Sequence, residues 1–569
     1  MSRKTLRRAS CLSLIAATFG LSALLTGPVF AQTLTSQAVT PPDAGQTLRD
    51  NRQPITPPKA SVLPSLSVPD EKDPASDPNQ RLTVSQIRIQ GNVHVPTDVL
   101  KALVADREGK EQSLGELRAG VHRITTYYRD HGYVVARAFI PAQKIANGIV
   151  VVQILEGNLV GGEIVNHTAV NDHVLQRILD AQSLNGKVIH SSTTDRGLLL
   201  LADLPAVGKV AGKLKPGNDV GTSDLVVTAD AGQRVDGEVS VDDYGNRYTG
   251  QNRLNGQVEI NSPTGQGDRL AAQTSITDEN LLYGRLAYDL PFGGQGFRAG
   301  ADVSQSHYQL GEEFADLDAS GTAKTAGLYA LYPLIRGLNA NVWLTGNVET
   351  RALQDRIASV STITDKSAQV LTLEAYGDGQ DALWGGGYNT WSLSYIAGDL
   401  KIKTPAALAT DQLGPKTDGD YAKLVVNLSR LQALTPSTSL SASLSAQAAS
   451  KNLDSSEKFV IGGIYGVSAY PQGEGAGDTG WLGDIALRHK VTKMVSVSAF
   501  YDIGDVRFNK TPYAAGKTGE DLNSYGVSAS AQVGRVNARI TMALHQSGDR
   551  ATTAPDRNPR LWASLGYSF

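Results

Sequence analysis

The chain has 569 residues, room for two to four domains, and its 58 glycines against only 10 phenylalanines and 3 methionines favour β structure. Its formal net charge is −3, and loss of a basic leader takes it to about −7, which argues against nucleic acid as a partner. Beyond the N-terminus no long unbroken apolar run occurs, which excludes a helical membrane span. The single cysteine, Cys11, leaves no disulfide framework and no cysteine nucleophile in a processed chain.

Arg3, Lys4, Arg7 and Arg8 precede an apolar run from Cys11 to Leu25, and Val29-Phe30-Ala31 is a small-residue cleavage pattern before Gln32. Residues 1–31 therefore read as a secretory signal peptide. An exported, cysteine-free, glycine-rich β protein fits the bacterial outer membrane. Residues 32–80 read as a linker, broken by Pro41-Pro42, Pro57-Pro58, Pro64, Pro69, Pro74 and Pro78. Within it, DAGQTLRDNRQ (43–53) has the pattern of a short polar helix.

From 81 the pattern changes. TVSQIRIQGN (83–92) alternates as a strand, with Val84, Ile87 and Ile89 as its apolar residues. PTDVLKALVA (96–105) reads as a short helix. Ser113-Leu114-Gly115-Glu116 is a capping box opening an amphipathic helix with Leu117, Val121, Ile124 and Tyr128 in its stripe. Strands follow at 133–141 and 148–157, giving the order β-α-α-β-β. The order repeats with a strand at 162–168, helices at 171–182 and 192–204, and strands at 207–217 and 223–232. The nine histidines are scattered without a ligand-spaced pair, and no phosphate-binding loop is present, so no metal, cofactor or catalytic site is expected.

From 233 to 569 the chain reads as strands only. In LNANVWLTGNVE (338–349), Leu338, Ala340, Val342, Leu344, Gly346 and Val348 share one face, while the polar residues and Trp343 take the other. RLNGQVEI (253–260), LLYGRLAYDL (281–290) and VNARITMALH (536–545) alternate likewise. Alternation over about ten residues followed by a turn is the transmembrane barrel pattern. A strand protein in lipid must close on itself to satisfy its backbone. Roughly 21 residues per strand and loop predicts about sixteen strands. The last strand, LWASLGYSF, puts Leu561, Ala563, Leu565, Tyr567 and Phe569 on one face. The fold class is thus mainly β: two α+β modules at 81–157 and 158–232, then an antiparallel transmembrane β-barrel over 233–569.

Three stretches carry a family resemblance. YYRDHGYVVARAFIPAQKIANGIVVVQILEG (127–157) is similar to the first POTRA domain of the hemolysin activation/secretion class. VDDYGNRYTG (241–250) resembles the start of that class's first barrel strand, and PDAGQTLRD (42–50) its pore-plugging helix. The whole chain resembles a two-partner secretion transporter of the outer-membrane assembly superfamily. The resemblance implies an export channel and not an enzyme. It implies POTRA 1 at 81–157, POTRA 2 at 158–232, a plug helix near 43–53, and a secreted exoprotein as partner, recognised by its N-terminal secretion domain. A client strand could add to an open POTRA sheet edge, with strands near 84–90 and 162–168 as the expected contacts. Tyr567 and Phe569 resemble the C-terminal signal that barrel-assembly machinery reads before the barrel enters outer-membrane lipid. An insertase of the same superfamily and a diffusion porin are the alternative readings.

The resemblance also gives meaning to GIYGVSAYPQGEGAGDTGW (463–481), too aromatic for a linker and too glycine-rich for a helix. In this superfamily a loop folds back into the barrel, and its tip arginine meets the aspartate of a Phe-x-Asp-x-Gly wall motif. Here the tip reads Val467, Ser468, Ala469, Tyr470, and the wall motif Phe500, Asp502, Gly504. Strand alternation turns Val495, Val497, Ala499, Tyr501 and Ile503 to lipid and the motif residues to the lumen. Ser468 stands where the family has arginine. A neutral hydroxyl replaces a bidentate, charge-assisted pair. Three readings stay open: a looser loop, substitution by another cation such as Arg488, or weak transport.

Overall fold

A computed structural model describes residues 41–52, 62–68, 81–182, 184–546 and 549–569. The signal peptide expected at 1–31 and most of the linker expected at 32–80 lie outside the described residues. In chain order the N-terminal elements are α1 (Ala44–Asn51), β1 (Ser65–Ser67), β2 (Arg81–Val84), β3 (Gln86–Gln90), α2 (Thr97–Ala102), β4 (Lys110–Ser113), α3 (Leu114–Asp130), β5 (Arg137–Phe139) and β6 (Ile149–Leu155). Then come β7 (Asn158–Asn166), α4 (Asp172–Ala181), α5 (Ser191–Ala202), β8 (Val207–Pro216) and β9 (Thr222–Ala231).

In the first module β6 lies between parallel β3 and antiparallel β5. Val84, Ile87 and Ile89 are buried as their spacing predicts, but 83–92 is not one strand. The chain breaks at Ser85, and β2 leaves to pair with β4, a strand that its polar sequence Lys-Glu-Gln-Ser does not announce. The stretch 133–141 is also mostly turn, with only β5 extended. Ser113 and Glu116 make the capping box in both directions, which satisfies two amides left unpaired at the start of α3. At the far end of β6, Glu156 accepts hydrogen bonds from the Val93 and His94 amides, the His94 ring and the buried Tyr128 hydroxyl. Burial alone would raise this carboxyl's pKa. The bonds from His94, Val93 and Tyr128 outweigh it and hold the group below its ordinary value.

The second module repeats the plan: β9 lies between parallel β7 and antiparallel β8, and α4 and α5 cover one face with Val174, Leu175, Ile178, Leu198 and Leu201. Its sheet carries one strand more. β1 pairs parallel with the outer edge of β8.

The remaining strands form a closed barrel of sixteen. The first (Val235–Asp242) pairs with the second (Arg253–Asn261) and, antiparallel, with the sixteenth (Arg560–Ser568), so no edge is left. Exposed outward-facing residues on the thirteenth strand (Val495–Arg507) are Val497, Tyr501 and Ile503. The sixteenth turns out Leu561, Leu565, Tyr567 and Phe569. The second module is seated on the turns at one end of the barrel. Arg336 forks onto Asp203 with two 2.7 Å hydrogen bonds, and Gln182 and Arg196 reach the Gly294 and Pro333 carbonyls at 3.1 and 3.0 Å.

Candidate functional site

Two segments occupy the lumen. The first is the chain between the eleventh strand (Thr438–Ala449) and the twelfth (Thr479–Lys490). It is longer than the glycine-rich stretch at 463–481, running over 450–478. It opens with a 3-10 turn, Ser455–Glu457, and closes on itself through a two-residue ladder between Phe459–Val460 and Ala476–Gly477. Val467, Ser468, Ala469 and Tyr470 at its tip are buried.

The tip meets the wall motif. The Ser468 amide donates to Asp502 Oδ2 at 3.1 Å, the Ser468 hydroxyl donates to the same oxygen, and the Ser524 hydroxyl adds a third bond at 2.7 Å. Asp502 and Ser524 are themselves buried. The carbonyls on the other side of the tip are also held. Trp562 Nε1 donates to the Ser468 carbonyl at 2.7 Å, and Arg560 Nε to that of Ala469 at 3.1 Å. Tyr470 donates its hydroxyl to the Asp549 carbonyl at 2.9 Å.

The other motif residues make room. A Cβ on Gly504 would lie 3.2 Å from Ile461 Cβ, so glycine lets the loop approach the wall. Phe500 lies across Gly526, where a Cβ would sit 2.4 Å from its ring. Arg488 does not replace the missing arginine. It lies opposite Ser498, four positions along the strand from the Asp484–Asp502 pair. The tip is thus held by neutral donors, with Arg560 reaching a carbonyl and not the carboxylate.

Acids within the loop hold its return path. Glu474 accepts from the amides and hydroxyls of both Thr552 and Thr553, at 2.6 to 3.0 Å. Asp478 accepts from Lys458 at 2.7 Å and from the Leu453 and Lys510 amides.

The second segment is α1, which sits against inward-facing residues of the wall. Its N-cap Asp43 accepts from the Gln46 amide, and the Ala44 amide donates to Asp355 at 2.7 Å. Arg52, at its other end, reaches Glu349 at 3.3 Å. The helix also meets the loop. Ser455 donates to Asp43 at 2.6 Å, Arg49 donates to the Ser455 carbonyl at 3.0 Å, and Lys366 lies between Asp43 and Asp454 at 3.4 and 2.7 Å. Beneath the 3-10 turn, Glu457 joins Arg351 and Lys423 in a buried cluster completed by Glu349 and the Tyr421 hydroxyl.

The sequence brought out the tip and wall residues. It did not bring out Ser524, Trp562, Arg560 or the Asp454–Glu457 turn, which lie up to 412 residues from their partners and share no local pattern with them. The remaining space beside α1 is polar, lined by Glu238, Asp242, Arg253, Asn255 and Gln257. Such a lumen can hold water, or the backbone of an extended chain.

Comparison with known proteins bears on the family and the fold. The model of the haemolysin secretion/activation protein family ShlB/FhaC/HecB matches residues 221–532, and that of the ShlB-type POTRA domain matches 82–157. The chain is 28% identical over 565 residues to the heme/hemopexin transporter protein HuxB of Haemophilus influenzae strain 86-028NP, covering 96% of this chain and 98% of that one. Another Haemophilus influenzae HuxB is 30% identical over 437 residues, 75% of this chain and 76% of that one. Among solved structures, CdiB from Escherichia coli superposes with a TM-score of 0.66 at 19% identity, covering 88% of this chain and 93% of that one.

Proposed function

The chain belongs to the haemolysin secretion/activation protein family ShlB/FhaC/HecB, and from that premise we propose how its parts share the work of export. It is an outer-membrane channel of two-partner secretion, with POTRA domains in the periplasm and a secreted exoprotein as its partner. In our reading, the POTRA pair captures the partner's N-terminal secretion domain. The client crosses the barrel as a strand or hairpin, and its folding outside makes the movement irreversible. At rest α1 and the loop at 450–478 close the pore, with Asp502 holding the loop tip through Ser468.

One observation carries this reading. α1 is tied to the wall and to the loop mainly by hydrogen bonds and ion pairs, whereas the loop tip also packs Ile461, Val467 and Tyr470 against Val506 and Leu522 of the wall. Water or a passing polypeptide can replace the polar contacts one by one, as they could not replace an interdigitated apolar core. The capture surface we favour is a cleft of about 280 Å³ beside β5, lined by Arg118, His122, Arg129, Arg137 and Phe139. There the sheet edge carries no further strand among the described residues. The strands expected from the sequence to meet the client, β3 and β7, are edge strands of their own sheets. Tyr567 and Phe569 serve barrel-assembly machinery as the insertion signal, and the apolar outer face meets outer-membrane lipid. The protein performs no catalysis.

The test is comparative mass spectrometry of culture medium, cell surface and outer membrane, with and without the gene. Loss of one large protein from the medium or surface, with other barrels unchanged, supports the reading and identifies the client. A general fall in outer-membrane barrels would overturn it in favour of an insertase.

A further inference from the structure

The outer wall of the barrel is not uniform. Between the fifth strand (Phe297–Gln309) and the ninth (Gly387–Ile402), outward residues enclose an apolar groove of about 1030 Å³. Large and small side chains oppose one another across the ladder there, Leu328 beside Ala301 and Leu371 beside Ala397. Leu328, Leu371 and Tyr395 are exposed along it, and Ala326 lines it on the sixth strand (Ala319–Arg336).

Arg336, at the lower end of the sixth strand, is bound to Asp203 of the periplasmic module, so the strand's other end points to the cell exterior. Ten residues separate Leu334 from Lys324, and both are exposed. At about 3.3 Å per residue and a tilt of about 40° they climb roughly 25 Å, the height of the apolar band of such barrels. Lys324 therefore stands at the outer rim of the band, one same-face step above Ala326. A cation on the lipid face is costly at mid-membrane and tolerated at this height.

Arg356 follows higher up, on the seventh strand (Ala340–Ile357), opposite Ser320. The ladder neighbours of Lys324 are Gln305 and Ala352, and those of Arg356 are Ser320 and Ile363, so no acid faces either cation. Neither makes an ion pair among the described residues. The acids nearest the groove, Asp399 and Asp420, oppose one another on the ninth strand and the tenth (Gly419–Ala433), and Lys401 lies 3.1 Å from Asp399. On the far side of the barrel the sign is reversed, with Asp505 and Asp521 opposed on the thirteenth strand and the fourteenth (Gly519–Val533). The unpaired positive charge thus lies over the sixth and seventh strands, above the groove.

An apolar hollow topped by two free cations fits an amphiphile with acyl chains and a phosphorylated head. A guanidinium matches phosphate geometry, and a lysine supplies a point charge. Four residues along the sixth strand, from Ser320 to Lys324, span roughly 13 Å. That separation suits a disaccharide with a phosphate at each end better than the single phosphate of a glycerophospholipid.

We propose that the groove and its two cations bind a phosphorylated glycolipid of the outer leaflet, with acyl chains against Leu328, Leu371 and Tyr395 and phosphates on Lys324 and Arg356. The site lies on the side of the barrel away from the junction of the first and sixteenth strands. It rests on the outer-membrane placement of the barrel and on no step of the export mechanism.

The test is native mass spectrometry of the full chain in detergent, titrated with bis-phosphorylated lipid A, with the same lipid stripped of both phosphates, and with phosphatidylglycerol. The bis-phosphorylated form should bind at least tenfold more tightly than either of the others. Lys324→Gln with Arg356→Gln should remove that advantage and leave the affinity for the stripped lipid unchanged. Ala326→Trp, which fills the groove from a lipid-facing position, should weaken both forms of lipid A, with heat-modifiable migration showing that the barrel remains folded. Equal affinity for all three lipids would mean an ordinary lipid-facing wall and overturns the proposal. An unchanged preference in the double variant, or tightest binding of phosphatidylglycerol, overturns it as well.

Discussion

Ser468 gives Asp502 two donors, its amide and its hydroxyl, where the loop-tip pattern that the sequence resembles has an arginine. The exchange alters the latch without removing it. A hydrogen bond to a carboxylate contributes about 1.5–3 kcal/mol when its partner is buried, and the Ser524 hydroxyl adds a third donor to the same oxygen. Ser468→Ala removes one of the three and leaves the amide and Ser524 in place, so the loop stays seated. Asp502→Ala removes the acceptor of all three. The expected outcome is graded: limited proteolysis within 450–478 rises several-fold for Ser468→Ala and by an order of magnitude or more for Asp502→Ala. Equal cleavage of all three chains would mean that Trp562, Arg560 and Tyr470 hold the tip without the carboxylate. The identity of residue 468 was plain in the sequence. Its consequence was not, because the amide and Ser524 reach Asp502 only through the fold.

At the scale of elements, legibility followed periodicity. Period-two strands such as 253–260 and 536–545, and the capped stripe of α3, could be read because burial on one face imposes a repeat. β4 has no apolar alternation, and the break at Ser85 hides inside a run that looks continuous, so tertiary pairing decided both. The helix at 43–53 showed a polar helical pattern, but nothing local placed it between Asp355 and the Asp454–Glu457 turn. Its seat depends on closeness. A Cβ on Gly45 would lie 2.3 Å from Ser455 Oγ and 2.9 Å from both Asp454 Oδ1 and the Ser456 amide. Gly45→Leu therefore drives the helix from its seat, while the barrel, closed by its own ladder, stays folded. The expectation is a raised open-channel conductance in planar bilayers together with unchanged heat-modifiable migration of the barrel. Unaltered conductance would show that the lumen is closed by the loop alone.

Across the whole molecule, the ladder around sixteen strands supplies a rigid wall, and the second POTRA domain is tied to it by Arg336 and Asp203. Within that frame α1 is the part held mainly by exchangeable polar contacts, the loop adds an apolar seat at its tip, and the two share one clamp at Ser455. The strand count was readable from the alternation over residues 234–569. The clamp was not, because it joins residues 412 positions apart. On this mechanism export requires α1 to leave the lumen. Asp43→Cys with Ser455→Cys tests it most directly, since these side chains touch at 2.6 Å and only the leader cysteine Cys11 is otherwise present. The single Asp43→Cys chain is the reference for the lost N-cap. With the disulfide formed, export of the client should fall at least tenfold below that reference and return on reduction. Export at the reference level through a fully cross-linked channel would contradict the account.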